Sequence, residues 1–188
     1  MIATGVLSDP RVSSRVGKIE MSKIRVREAS RSDLSAITEI YNYYVIHTPI
    51  TFDTTPFTPE QRATWFDDHC DGRRYRLLVA EENDKIVGYA GTGRFRAKPA
   101  YDTSVEATIY CASDSTRRGV GALLYGALFE GIAHEDINRI LGGITLPNDA
   151  SLALHRRFGF KQAGVFSENG RKFGLYWDVA WVERALRI

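Results

Sequence analysis

The segment from Val105 to Leu123 limits this chain more than any other. Its first half, Val-Glu-Ala-Thr-Ile-Tyr-Cys, reads as a strand. Its second half, Ser115-Thr116-Arg117-Arg118-Gly119-Val120-Gly121-Ala122-Leu123, reads as a loop that opens an apolar-striped helix. The amide N–H groups at a helix N-terminus lack intrahelical partners, and the helix dipole adds partial positive charge there, so such a junction suits an anion. Gly119 and Gly121 allow close backbone approach, and Arg117 and Arg118 add charge. The other reading is a tight strand-to-helix connection with no ligand. Two phosphate folds are disfavoured. No Lys follows Gly121, as a Walker loop requires, and Leu124 stands where a dinucleotide fingerprint needs its third glycine.

Around this junction the hydrophobic period changes several times. Lys23–Arg27 alternates as a half-buried strand. Ser30 and Asp33 have capping-box form, and Leu34, Ile37, Ile40, Tyr41, Tyr44 and Val45 then mark one face of a helix. Thr58-Pro59-Glu60-Gln61 predicts a second helix start, with Trp65 and Phe66 turned to the core and Gly72 as the stop. Arg76–Glu81 and Lys85–Arg94 form a hairpin, and Val105–Cys111 is the next strand. A helix over Gly119–His134, a strand over Ile140–Leu146 and a helix over Asn148–Phe158, closed by Gly159, follow. Two last strands flank a turn at Glu168-Asn169-Gly170. This order predicts one α/β (α+β) domain, residues 21–188, with a mixed, mostly antiparallel twisted sheet and helices on both faces. Residues 1–20 carry no sustained period and read as an N-terminal extension or the product of an upstream start codon, with Met21 as the alternative start.

Bulk properties exclude more than they assign. Lys plus Arg number 25 against 23 Asp plus Glu, a formal charge of +2, which gives no global pull towards nucleic acid or an anionic membrane. No apolar run nears the roughly 20 residues of a membrane-spanning helix. Cys70 and Cys111 show no metal or disulfide spacing with each other or with His47, His69, His134 and His155, so no metal site is expected. His69–Cys70 reads as a helix end. A cytoplasmic protein is expected. Glu106 is the polar residue that needs a reason: a carboxylate between Val105 and Ala107 is costly unless it serves a site, faces solvent, or pairs with Arg94 or Arg96.

The loop Thr116–Gly121, following the strand that ends Glu106-Ala107-Thr108-Ile109-Tyr110, resembles the acetyl-CoA loop of the Gcn5-related N-acetyltransferases. That family's pattern is [QR]-x-x-G-x-[GA], and its first position holds Thr116 here. Within the family the chain looks most like the group acting on phosphinothricin and methionine sulfoximine. The stretches that carry the likeness are Glu39–Asn42, Ala100–Asp102 leading to Val105-Glu106, Leu146–Asp149, and Lys172–Gly174 leading to Asp178.

The resemblance implies direct acetyl transfer from acetyl-CoA to the α-amino group of an amino acid or analogue, in a detoxifying homodimer. It implies Glu106 as general base, with His155 assisting the thiolate or contacting CoA; a structural role for His155 is equally open. Thr108, Ile109, Tyr110, Thr116, Arg117, Arg118, Gly119, Val120, Gly121, Ala122, Leu123 and Asn148 would hold acetyl-CoA. Phe95, Arg96, Ala97, Val105, Glu106 and Ala107 would line the acceptor pocket, with Arg96 suited to a carboxylate. Of the aromatic residues Tyr41, Tyr44, Phe52, Trp65 and Trp177, one or two would wall that pocket. Tyr176-Trp177 stand where phosphinothricin enzymes show Trp-His, a departure that bears on the acceptor. Two rival readings are an acetyltransferase for a protein or polyamine and a non-catalytic CoA-binding sensor.

Overall fold

In the computed structural model, which describes residues 24–70, 73–116 and 118–186, the period-two segments become strands of one sheet. The expectations for residues 1–20, Lys23, Gly72 and Arg117 lie outside the described residues. The strands are β1 (Arg25–Glu28), β2 (Leu77–Glu82), β3 (Lys85–Arg94), β4 (Ser104–Cys111), β5 (Arg139–Thr145), β6 (Lys161–Lys172) and β7 (Leu175–Ala185). Their spatial order is β1-β2-β3-β4-β5-β7-β6, and each neighbouring pair is antiparallel except β4 and β5.

Helices cover both faces, as the pattern predicts. On one face α1 (Leu34–His47) and α2 (Ala63–Asp68) bury Ile37, Ile40 and Phe66 against Leu77, Val79 and Tyr89. On the other, α3 (Val120–Gly131) packs Leu124, Tyr125 and Leu128 against Leu78, Ala80 and Ala90, with Leu152 and Leu154 of α4 (Asp149–Arg157) beside them. Adjacent β2 residues therefore enter opposite cores, which is why that strand is continuously apolar from Leu77 to Ala80.

The expected caps form. The Ser30 amide donates to Asp33 Oδ2 at 2.7 Å, and Arg27 clamps the same carboxylate at 2.7 and 2.9 Å. The second cap forms as well, with the Thr58 amide donating to Gln61 Oε1 at 2.8 Å. However, α2 proper begins only at Ala63, because residues 59–62 wind through tight three-residue turns such as Arg62 N–H to the Pro59 carbonyl.

One turn is misplaced by sequence reasoning. The last hairpin reverses at Phe173-Gly174, both with positive φ, while Glu168-Asn169-Gly170 is a bulge within β6. Glu168 also has positive φ (52°), so the segment looks like a reversal locally; the strand resumes pairing at Gly170 with Trp177.

Candidate active site

The site lies where the sheet opens. The parallel ladder between β4 and β5 holds only from Ser104–Arg139 to Glu106–Leu141. Beyond it β4 continues beside β3, and β5 beside β7. The facing edges of β4 and β5 are thus unpaired after Glu106, leaving backbone donors and acceptors for a ligand. A cavity of about 630 Å³ fills this opening, walled by Thr108–Cys111 on one side, Gly143–Thr145 on the other, and by the N-terminal ends of α3 and α4.

The sequence-predicted loop reaches this cavity through Thr116, Gly119, Gly121 and Ala122. Gly119 has φ of +82°, a left-handed conformation that glycine adopts without strain. Gly121 answers a different need: a Cβ there would stand 3.1 Å from Leu154 and 3.4 Å from Ile109. Asn148 lines the same cavity and caps α4, its Oδ1 accepting from the Ser151 amide at 3.1 Å.

Other expected cofactor residues lie elsewhere. Val120 is buried in the core beneath α3, and Leu123 is exposed on the far side of the helix. Arg118 commits its fork to Glu82 at 2.6 and 2.8 Å, because Glu82 is a buried carboxylate that needs a cation.

A second cavity, of about 340 Å³, lies on the α1–α2 side and is walled in part by Tyr41, Asp53, Arg62, Trp65, His69 and Tyr89. Glu106, Thr108 and Tyr110 line both cavities. They sit at alternate positions of β4 and so share one face of the strand. Burial pushes the Glu106 carboxyl above its ordinary range, and the positive charge of Arg96 only partly opposes this. Glu106 enters none of the ion pairs found among the described residues, so the alternative of a pairing with Arg94 or Arg96 is not what the structure shows.

The strand alternation also reassigns the expected acceptor residues. Val105 is wholly buried on the opposite face, and Ala107 lines only the larger cavity. Phe95 packs on Tyr101 and Trp181 at ring distances of 5.8 and 5.9 Å. Arg96 is exposed and stacks over Phe95, while neither it nor Ala97 lines either cavity.

Of the aromatic set, Tyr41 and Trp65 wall the smaller cavity and Tyr44 the larger; Phe52 and Trp177 line neither. Sequence reasoning missed Arg62, which lies between the rings of Tyr41 and Trp65 at 4.3 and 3.9 Å. Its only local signal is its place after a helix cap, which says nothing about burial.

His155 is buried with both ring nitrogens engaged. Nδ1 lies 2.8 Å from the Ser151 carbonyl, which can only accept, so Nδ1 carries the proton. Nε2, 3.0 Å from the Tyr125 hydroxyl, is then the acceptor. Burial lowers its pKa, which keeps the ring neutral. His69 is held similarly, Nδ1 to the Trp65 carbonyl at 2.7 Å, with its ring against Trp65 at 4.6 Å and tilted by 35°. The thiol of Cys111 is pushed up to about 11 by burial, which leaves it a poor nucleophile. Among the described residues no group of three His, Cys, Asp or Glu side chains is arranged to hold a metal ion, and no helix is long and apolar enough to cross a membrane.

A splayed β4–β5 pair with a glycine-opened helix at its mouth and a half-buried carboxylate at its apex defines an acyltransferase of the GNAT type. The chain belongs to that family: residues 26–181 match the acetyltransferase (GNAT) domain. It is an acetyl-CoA-dependent acetyltransferase.

Among its relatives, it is 52% identical to a phosphinothricin N-acetyltransferase of Streptomyces coelicolor, over 88% of this chain and 98% of that protein. It is 32% identical to an L-methionine sulfoximine/L-methionine sulfone acetyltransferase of Pseudomonas aeruginosa, over 84% of this chain and 92% of that one. In structure it matches a GNAT superfamily phosphinothricin acetyltransferase from Sinorhizobium meliloti in complex with AcCoA. There the TM-score is 0.83, with 30% identity, 87% of this chain and 89% of the other.

Proposed function

We propose that the enzyme moves the acetyl group of acetyl-CoA directly to the α-amino group of a small amino-acid-like acceptor, of the kind named by phosphinothricin, methionine sulfoximine or methionine sulfone. The observation that carries this reading is the position of Glu106, a half-buried carboxylate outside every ion pair of the described residues and shared by the two cavities. Acetyl-CoA would occupy the larger and the acceptor the smaller, so that amine and thioester meet at Glu106.

Glu106 takes one proton from the acceptor ammonium. The neutral amine attacks the thioester carbonyl, the C–N bond forms and the C–S bond breaks. The second amine proton ends on the departing sulfur, giving an amide and the CoA thiol. Glu106 then returns its proton to solvent. No side chain is acylated, in keeping with the raised thiol pKa of Cys111. The unpaired β4 edge at Thr108–Tyr110 offers backbone groups to the acetyl and pantetheine portions, and the first turn of α3 offers amides to phosphate. With both nitrogens of His155 engaged, this reading gives it the task of holding α4 against α3.

The expected homodimer draws support from exposed apolar side chains along β6 and β7, including Phe166, Leu175 and Tyr176, and sedimentation would test it. The reading of activity is tested by thiol release from acetyl-CoA with amino acids, methionine sulfone, phosphinothricin and spermidine. Release with the amino-acid set and not with spermidine is expected; no signal above background with that set would overturn it.

A further inference from the structure

The smaller cavity contains a cation without a counter-ion among the described residues. Arg62 is only 5% exposed, and its Nη1 is buried with no hydrogen-bond partner. It takes part in no ion pair among the described residues, although Asp53 and Glu106 line the same cavity. The guanidinium lies over the ring faces of Tyr41 and Trp65, which stabilise its charge. The Tyr89 hydroxyl, also buried and without a partner of good geometry, stands close enough for Arg62 to oppose the burial-driven rise of its pKa. Two buried polar groups without a partner of good geometry, both on residues that line one cavity, are costly in the empty protein unless a ligand satisfies them.

We infer that Arg62, with the Tyr89 hydroxyl beside it, receives the α-carboxylate of the acceptor and sets the preference for amino acids over simple amines. The inference rests on the proposed function and adds the substrate group that this cavity selects. An α-carboxylate is two bonds from the amine, so its receptor must share a cavity with the base, as Arg62 does with Glu106 and Arg96 does not. A planar fork donates two parallel hydrogen bonds to a carboxylate, and pre-stacking between rings fixes that fork before the ligand arrives. The same charge repels a polyamine.

The test compares L-methionine sulfone with its decarboxylated analogue, 3-(methylsulfonyl)propan-1-amine, in wild type, Arg62→Gln and Arg62→Lys. Both thiol release and ligand-induced thermal shift are measured. The wild type is expected to favour the amino acid by about 100-fold in kcat/KM, and R62Q to bring the two within about threefold, chiefly through KM. R62K keeps charge without the fork and should fall between. An unchanged preference in R62Q would overturn the inference, as would equal binding of both ligands to the wild type. If R62Q does not fold, R62K is judged by the same ratio. Failure of every amino acid to release thiol would instead sink the proposed function, while the thermal shifts would still judge Arg62.

Discussion

The Tyr125 hydroxyl and His155 Nε2 meet at 3.0 Å, with their rings edge to face at 5.3 Å. This contact ties the middle of α3 to the last turn of α4, the two helices whose first turns wall the larger cavity. His155→Ala would leave the Tyr125 hydroxyl unsatisfied in the core and remove a buried ring, and is expected to cost about 2–4 kcal/mol by denaturant unfolding. Turnover at saturating substrates should fall by less than about tenfold; a loss of 100-fold or more would instead mark His155 as a proton donor. Because the folded state depresses this imidazole's pKa, the unfolded chain binds the proton more readily. Stability from this group is therefore complete above its ordinary value of 6.5 and declines as pH falls below it. Unfolding midpoints from pH 8 to 5 should show that decline, and H155A should flatten it.

Glu106→Gln is expected to lower kcat by about 10²- to 10⁴-fold while leaving acetyl-CoA binding intact. Since burial raises this carboxyl above its ordinary 4.5, the folded state holds the proton longer than the unfolded state does. Stability is therefore lost as pH rises through that window, and the glutamine variant should melt higher than the wild type at pH 7. The acid limb of kcat/KM should likewise fall above 4.5. Retained turnover in E106Q would rule out Glu106 as the base.

The two loop glycines should fail in different ways. At Gly119 an added Cβ would meet open space, but φ is +82°, so Gly119→Ala should cost about 1 kcal/mol in stability through backbone strain. At Gly121 the added methyl would press on Leu154 at 3.1 Å and part α3 from α4. Gly121→Ala should thus raise KM for acetyl-CoA more than it lowers the melting temperature. Equal effects of the two substitutions on KM would contradict this division.

Asp33 anchors β1 to the start of α1. Hydrogen bonds from Arg27, helped by those from Ser30, hold its carboxyl down to about 2 despite desolvation. Its stabilisation is present above the ordinary value of 3.8 and is lost as pH falls through the folded value. Asp33→Asn should cost on the order of 1–2 kcal/mol at pH 7, allowing for solvent screening of Arg27, and the difference should vanish near pH 2.

Local chemistry made much of this protein legible. The Ser30–Asp33 and Thr58–Gln61 caps, the apolar face of α1 and the glycine-opened α3 depend on residues within one turn of each other, so spacing along the chain is enough to see them. Glu106 was also visible, because an acidic residue in an apolar alternation is anomalous wherever the strand lies. The turn at Glu168–Gly170 misled for the same reason: Gly is a local reversal signal, but pairing with β7 resumes at Gly170.

What the chain order alone determined was the sequence of strands and helices, the glycine-opened loop before α3 and the anomalous acid in β4. The tertiary structure decided which strands part, since the end of the β4–β5 ladder at Glu106–Leu141 involves residues 35 positions apart, and it decided what each arginine does. Arg118 lies in the loop yet pairs with Glu82, and Arg96 is flanked by expected pocket residues yet faces solvent. Arg62, with no motif around it, is stacked between two rings in the cavity of Glu106 and joins no ion pair of the described residues. Burial and the distance to a counter-charge are properties of packing between distant segments, and they set the chemistry of a guanidinium that is otherwise always charged.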